Sequence, residues 1–183
     1  ETASQGTQAK KRLLLETSGK KNFDGHLSRL RTYGRTCRPR CFIAATTHEW
    51  LSQAKEIKLL FPDSERMNRG GNTVKQIADV CRSEGFSDLV ILQEHRGVPD
   101  GLVVSHMPYG PTAYFGLHNV TMRHDIPNLA PVSEAHPHVI LHNLTTKIGR
   151  RVGAILGHLF PVPKADSRRV VSLINHDDFI AFR

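Results

Sequence analysis

A chain of 183 residues with a formal net charge of +8 is long enough for one ordinary domain, or for two small ones that share a core. The excess of lysine and arginine favours an anionic partner, with nucleic acid ahead of a membrane surface. No apolar run approaches the roughly 18 residues that a transmembrane helix needs, so the sequence predicts no membrane-spanning helix. Of the two anionic partners, we expect nucleic acid and no membrane.

Residues 1–38 show no core pattern and are predicted to form a basic N-terminal extension that is partly flexible. Their cations cluster at Lys10-Lys11-Arg12 and at Lys20-Lys21. The chain begins with Glu1 and ends in a strand-like Phe-Ile-Ala-Phe at 179–182, and we therefore expect it to be part of a longer protein.

The next region, residues 39–128, is predicted to be an α/β half-domain. Residues 42–45 indicate a strand, and Thr46-Thr47 a turn that caps a helix. This helix has apolar residues at helical spacing and stops at Pro62. A loop is expected over residues 66–71, and a second amphipathic helix follows over residues 74–81, closed by Gly85.

Three short strands folded back on one another are predicted over residues 88–117. Residues 88–92 form a continuous apolar run, which is typical of a strand buried on both faces. Proline, aspartate and glycine are favoured in turns, so we expect a turn at Pro99-Asp100-Gly101. The returning strand is expected over 102–107 and the third strand over 112–117.

The second half, residues 129–183, repeats the opening of the first. A strand at 138–141 and a helix at 147–160 lead to Leu-Phe-Pro at 159–161, which lies 99 residues after Leu-Phe-Pro at 60–62. The repeat predicts that Phe61 and Phe160 occupy equivalent core positions, and that the second half is incomplete in this chain.

The helix at 147–160 has three stripes, by the step of about 100° per residue. The predicted inward stripe is Ile148, Val152, Ile155, Leu156 and Leu159. The cationic stripe is Lys147, Arg150, Arg151 and His158. Gly149, Gly153 and Gly157 form the third. These glycines allow close approach by a strand, a partner or a phosphate, or they are tolerated without a role.

Arginines beside glycines mark the candidate binding residues. Arg66-Met67-Asn68-Arg69-Gly70-Gly71 offers two guanidinium groups, one amide and accessible backbone amides, which suits a phosphate cradle. It is not a P-loop, because no Gly-Lys-Ser/Thr follows. Each basic segment alone suits a solvated loop, but together they favour one shared anionic-ligand surface.

The chain has eleven histidines, which raise the hypothesis of a metal-dependent hydrolase. His136-Pro137-His138 and His124-Asp125 are the candidate ligands. No His-Glu-x-x-His motif or nucleophile elbow accompanies them. Three cysteines, an odd number, argue against a disulfide framework, and Cys37 and Cys41 lack the second close pair of a zinc site. We expect no catalytic residue, no metal and no cofactor.

Several segments resemble one family in the same order along the chain. They are Arg-Met-Asn-Arg-Gly at 66–70, Asp-Leu-Val-Ile-Leu at 88–92, Glu-His-Arg-Gly at 94–97, Gly-Pro-Thr-Ala-Tyr-Phe at 110–115, Asn-Val at 119–120, Met-Arg-His-Asp-Ile-Pro at 122–127, Leu-Phe-Pro-Val-Pro-Lys at 159–164 and Asp-Ser-Arg-Arg at 166–169. On these residues the chain resembles the Brix-domain family of ribosome-assembly proteins over roughly residues 40–183.

The resemblance implies a fold and a function. The fold is two half-domains of mixed sheets flanked by helices, similar to the anticodon-binding domain of class II aminoacyl-tRNA synthetases. The function is non-catalytic: in the nucleolus, within the U3 small nucleolar ribonucleoprotein and the small-subunit processome, the protein would join U3 snoRNA to pre-rRNA together with protein partners, with no small-molecule substrate. The alternative is an anticodon-binding-type module of a tRNA-acting enzyme.

The residues expected to bind RNA are cations and one amide from both halves. They are Arg66, Asn68, Arg69, Arg96, Arg123, Lys147, Arg150, Arg151, Lys164, Arg168 and Arg169. Few aromatic residues lie near them in the sequence, so we expect these side chains to act mainly on backbone phosphates.

Overall fold

The computed structural model describes residues 40–45, 51–96, 98–177 and 179–183, with the backbone alone for residues 51–55 and His124. The extension predicted over residues 1–38 and the helix cap predicted at Thr46-Thr47 lie outside the described residues. None of the helices in the described ranges is long and apolar enough to cross a membrane.

The first half builds a five-stranded sheet, here called sheet A. Its elements in chain order are β1 (Cys41–Ala45), α1 (Leu51–Leu60), β2 (Glu65–Asn68), α2 (Val74–Ser83), β3 (Asp88–His95), β4 (Val98–His106) and β5 (Thr112–Gly116). The strand order is β2-β1-β3-β4-β5. β1 runs parallel to β2 and β3, whereas β3, β4 and β5 are successively antiparallel. The three strands predicted over residues 88–117 are thereby confirmed, as is the complete burial of residues 88–92.

The second half builds a three-stranded sheet, here called sheet B. A short 3₁₀ turn (Arg123–Asp125) precedes β6 (His138–His142), α3 (Lys147–His158), β7 (Val170–His176) and β8 (Phe179–Phe182). The order is β6-β7-β8, with β6 parallel to β7 and β7 antiparallel to β8. Both halves therefore open with two parallel strands joined through a helix, as the internal repeat predicts. The strands match less closely, because β6 begins two residues before the position that the 99-residue offset gives it.

Two predictions about sheet A were wrong. The loop expected over residues 66–71 begins inside β2, where Arg66 pairs with Ile43 of β1. The turn expected at Pro99-Asp100-Gly101 lies inside β4, and the chain turns earlier, at Arg96, whose φ is 50°. A Cβ at Gly101 would lie 2.7 Å from the hydroxyl oxygen of Tyr114, so a larger residue there would displace that side chain.

Sheet A is covered on both faces, because alternate residues of each strand point to opposite sides. On one face, Phe42 and Ala44 pack with Ile77 and Cys81 of α2. On the other face, Cys41 and Ile43 belong to a larger cluster that includes both helices α1 and α3 and strands of both sheets. The two halves therefore share one hydrophobic core.

Two phenylalanines lie where the halves meet. Phe61 is 2% exposed and Phe160 is 7% exposed, and their ring centroids are 5.1 Å apart. Each ring follows its helix and precedes a proline. The prediction that both occupy core positions is confirmed, and the structure adds that they contact each other.

Helix α3 turns a different face inward from the one predicted. Val152 and Leu156 are buried as expected, but Ile148 is 60% exposed. The buried face is centred between the aliphatic and glycine stripes, since Gly149 and Gly153 are also buried. A Cβ on Gly153 would lie 2.8 Å from the side chain of Leu144, in the segment that links β6 to α3. Two of the three glycines thus permit close packing of that segment on the helix, and Gly157 has no atom within 4 Å of the corresponding position.

Replacing Phe160 by alanine should lower the free energy of unfolding by about 3–5 kcal/mol, because it leaves a cavity where the two halves meet. Urea denaturation followed by circular dichroism measures the change. Ile148→Ala on the same helix is the control, and its exposed side chain should make a difference within about 0.5 kcal/mol. Equal losses for the two variants would contradict the placement of these side chains.

Candidate nucleic-acid interface

The carboxyl ends of the parallel strands of sheet A carry the first group of predicted binding residues. Because β1, β2 and β3 run the same way, Asn68, Arg69 and Arg96 emerge at one edge of the sheet. Asn68 and Arg96 are exposed, whereas Arg69 is half-buried and donates its backbone N–H to Ala45, at 3.1 Å. Arg66 is half-buried within β2. The sheet thus brings the predicted phosphate cradle and the β3–β4 turn to the same edge.

The N-terminus of α3 carries the second group, at the carboxyl edge of sheet B. Thr146 caps the helix, and its Oγ1 accepts a hydrogen bond from the backbone N–H of Gly149, at 3.0 Å. Lys147 and Arg150 are exposed in the first turn, and Arg151 is half-buried. The positive end of the helix dipole and the two exposed cations combine to attract an anion.

Two further cations lie at the opposite edge of sheet B. Lys164 and Arg168 are exposed and precede β7, so they emerge at its amino end. Since β6 and β7 are parallel, this edge is the one remote from the first turn of α3. The residues that the sequence grouped into one surface are therefore distributed over separate edges of the two sheets.

The Arg169 side chain makes hydrogen bonds within the fold. Its two terminal nitrogens donate to the carbonyl oxygens of Ser133 at 3.1 Å and Leu59 at 2.6 Å, with longer bonds to Ala135 at 3.4 Å and Leu60 at 3.3 Å. Burial lowers the pKa of this guanidinium. Leu59 and Leu60 end α1, so Arg169 ties the start of β7 to the first half of the chain.

Arg123 lies at the same junction. Its backbone N–H donates to the Glu56 carboxylate at 2.6 Å, and its guanidinium donates to the carbonyl of Ala130 at 2.6 Å. Arg123 and Arg169 both line a mostly apolar cavity of about 390 Å³ between the halves. A role for these two arginines in RNA binding stays a prediction, and the contacts described here favour a structural role.

The histidine motifs make ordinary structural contacts. His136 lies 3.5 Å from the Asp63 carboxylate, and the Nε2 of His138 lies 3.1 Å from the carbonyl oxygen of Ser167. The side chain of His124 lies outside the description. The expectation that the protein binds no metal stays a prediction.

A different group of titratable side chains comes from three distant segments. One potential ligand atom from each of Asp88, His106 and His158 lies within 4.8 Å of the others. The Nδ1 of His106 is hydrogen-bonded to the buried Asp88 carboxylate at 2.9 Å, and Ser87 donates to the same carboxylate at 2.7 Å. The hydrogen bond to Asp88 raises the pKa of His106, against the opposing effect of burial. Sequence reasoning missed this group, because no local motif links the three residues.

The two described cysteines are buried, which disfavours the thiolate form. Burial raises the pKa of the Cys41 thiol and raises that of Cys81 to about 11. The Sγ of Cys41 lies 3.6 Å from the carbonyl oxygen of Leu159, so this thiol packs within the core.

Comparison with known proteins gives a family match and several similar sequences. Residues 45–183 match the Brix domain. The U3 small nucleolar ribonucleoprotein protein IMP4 of Bos taurus is 56% identical over 130 residues, which cover 71% of this chain and 45% of that protein. The protein of the same name from Schizosaccharomyces pombe is 55% identical over 131 residues, which cover 71% of this chain and 45% of that protein. The chain spans slightly less than half the length of these curated relatives.

Among solved structures, a probable ribosomal biogenesis protein from Aeropyrum pernix K1 aligns with a TM-score of 0.49 at 16% identity. The alignment covers 79% of this chain and 88% of that one.

Replacing the Arg169 guanidinium with the apolar side chain of methionine should lower the free energy of unfolding by about 1–3 kcal/mol, because it removes charged hydrogen bonds to four carbonyl oxygens. Arg168→Met is the matched control one residue away, and its exposed side chain should make a difference within about 0.5 kcal/mol. Urea denaturation of both variants measures the difference. If Arg169→Met is as stable as Arg168→Met, the structural role of Arg169 is wrong.

The His106–Asp88 contact should make stability depend on pH. The folded state raises the pKa of His106 above its ordinary value near 6.5, so its contribution is complete below that value and is lost as the pH rises through the folded pKa. His106→Asn keeps a neutral donor and removes the titration. The excess stability of the wild type over this variant should therefore shrink between pH 5.5 and pH 8, as measured by urea denaturation. A difference that is constant over this range would contradict the expectation.

Proposed function

The chain belongs to the Brix-domain family, and from this premise we propose that it is a non-catalytic, RNA-binding ribosome-assembly factor of the U3 small nucleolar ribonucleoprotein. The observation that carries the proposal is the identity of 55–56% with proteins named as components of that particle. Neither of these relatives is named as a tRNA-acting enzyme, and we do not propose that alternative.

The proposal includes partners and a location. The partners are U3 snoRNA, pre-rRNA and other proteins of the small-subunit processome, in the nucleolus, where the particle would act in pre-rRNA processing and 18S rRNA maturation. We also propose that residues 39–128 and 129–183 are two half-domains of the anticodon-binding type, the second incomplete in this chain. The paired parallel strands and the connecting helix in each half support that division.

The physical support for RNA binding is the position of the exposed cations. Arg96 at the carboxyl edge of sheet A, and Lys147 and Arg150 at the first turn of α3, point cationic groups into solvent. The formal net charge of +8 provides long-range attraction to a polyanion. Contacts of this kind fix the position of an RNA backbone and carry little sequence information, so specificity would come from RNA shape and from the protein partners.

The test is a salt titration of RNA binding by the wild type and by a Lys147→Ala/Arg150→Ala variant. Loss of two phosphate contacts should weaken binding to a U3 snoRNA fragment and to a scrambled RNA alike. It should also make the dependence of log K on log salt concentration shallower by ~0.7 per contact for single-stranded RNA. Fluorescence anisotropy at several salt concentrations measures both quantities.

The matched control is Lys58→Ala/Lys75→Ala, which removes the same charge from two exposed residues of α1 and α2. It should change the slope less than the test variant does. If the two double variants behave alike, the first turn of α3 is not a phosphate-binding site. If the wild type binds neither RNA, the proposed function is wrong for this chain.

A further inference from the structure

Tyr109 is the most exposed large hydrophobic side chain in the described part of the chain, at 86%. It lies in the turn between β4 and β5, next to an exposed Pro108. Two backbone hydrogen bonds close this turn. The N–H of Gly110 donates to the carbonyl oxygen of His106 at 2.9 Å, and the N–H of His106 donates to the carbonyl oxygen of Pro111 at 3.0 Å. A fixed turn thus presents an aromatic ring to solvent.

A cation supports one face of this ring. The guanidinium carbon of Arg82, in the last turn of α2, lies 4.9 Å from the centroid of the Tyr109 ring. Arg82 is itself fixed by two hydrogen bonds, from Nε to the carbonyl oxygen of Pro108 at 2.9 Å and from a terminal nitrogen to the Asp79 carboxylate at 2.6 Å. The two bonds fix Arg82, and the cation–π contact therefore favours one orientation of the ring before any ligand arrives.

The exposure of the ring shows that its opposite face is open. A flat aromatic surface that is already held in one orientation loses little conformational entropy when a second flat group stacks on it. Nucleobases are such groups, and aromatic side chains are the usual surfaces on which unpaired bases stack. The ring contact that the structure shows for Tyr109 is with the Arg82 guanidinium, and a stacking ring beside a cation suits a base of a polyanion.

The position of Tyr109 also relates it to the cationic stripe of α3. The turn begins at His106, and the ring of His106 packs against that of His158, with the centroids 5.6 Å apart. His158 ends the helix on the stripe that starts at Lys147. The contact of His106 with His158 thus places the start of this turn near the C-terminal end of α3, ~16 Å along the helix axis from Lys147.

We propose that the open face of Tyr109 stacks an unpaired RNA base, while Arg82 supports the ring from behind. This site rests on the proposed function and adds to it a contact with a base, where the sequence indicated contacts mainly with phosphates.

The experiment uses the whole chain and a single-stranded RNA that carries 2-aminopurine, a base whose fluorescence falls on stacking. Three variants separate the contributions: Tyr109→Ala removes the ring, Tyr109→Phe keeps it, and Tyr109→Leu keeps an apolar side chain without a flat surface. Removal of the ring should weaken binding roughly five- to 150-fold, the range for one stacked base. Tyr109→Phe should bind and quench as the wild type does, and Tyr109→Leu should resemble Tyr109→Ala.

The salt dependence of binding distinguishes this stacking site from the phosphate contacts. Tyr109→Ala should keep the wild-type salt slope, because it removes no charge. If the wild type binds RNA and Tyr109→Ala binds equally well, the stacking site is wrong while the proposed function stands. If Tyr109→Leu binds as tightly as Tyr109→Phe, the ring makes an apolar contact, of the kind a protein partner would use, and stacking is again wrong. If the wild type binds no RNA, both proposals fail.

Discussion

The contact between Phe61 and Phe160 is the interaction on which the rest of the structure depends. Each ring ends a helix just before a proline, and the two are 5.1 Å apart in the interior. Because both are buried, α1 and α3 must approach each other, and sheets A and B must turn one face toward a common core. The bonds from Arg169 to the end of α1, and the thiol contact of Cys41 with Leu159, follow from that approach.

A shared core determines where charge can remain. Sheet A is covered on both faces, so its arginines, apart from Arg66 in the edge strand β2, are left at strand ends and in turns. Parallel strands then gather those ends at a single edge, which is where ligands commonly bind in α/β folds. Arg69 and Arg96, 27 residues apart in the sequence, reach the same edge for this reason. The same packing places Arg123 and Arg169 inside the junction, where carbonyl oxygens compete for their donors.

The sequence predicted the elements whose signal is local. The strand at 88–92, the amphipathic helix α2 and the Leu-Phe-Pro repeat each carry their pattern within a few residues. β2 was missed because Glu-Arg-Met-Asn has no strand pattern of its own and depends on pairing with β1. The inward face of α3 was misjudged at Ile148, because glycines on the buried side have no side chain to reveal it. The pairing of Arg82 with Tyr109 joins two elements 27 residues apart, which a local pattern cannot show.

Residue type alone does not separate an arginine that binds a ligand from one that holds the fold. Arg168 and Arg169 are neighbours of identical chemistry, yet one is exposed and the other donates to carbonyl oxygens up to 110 residues away in the chain. A substitution at Arg169 that weakens RNA binding would therefore report a loosened junction. A substitution at Lys147 or Arg150 leaves the core intact, because both are exposed beyond the buried face of α3. For each cation of this chain, stability and RNA binding must therefore be measured on the same variant. The comparison shows whether that residue stabilises the fold or binds the ligand.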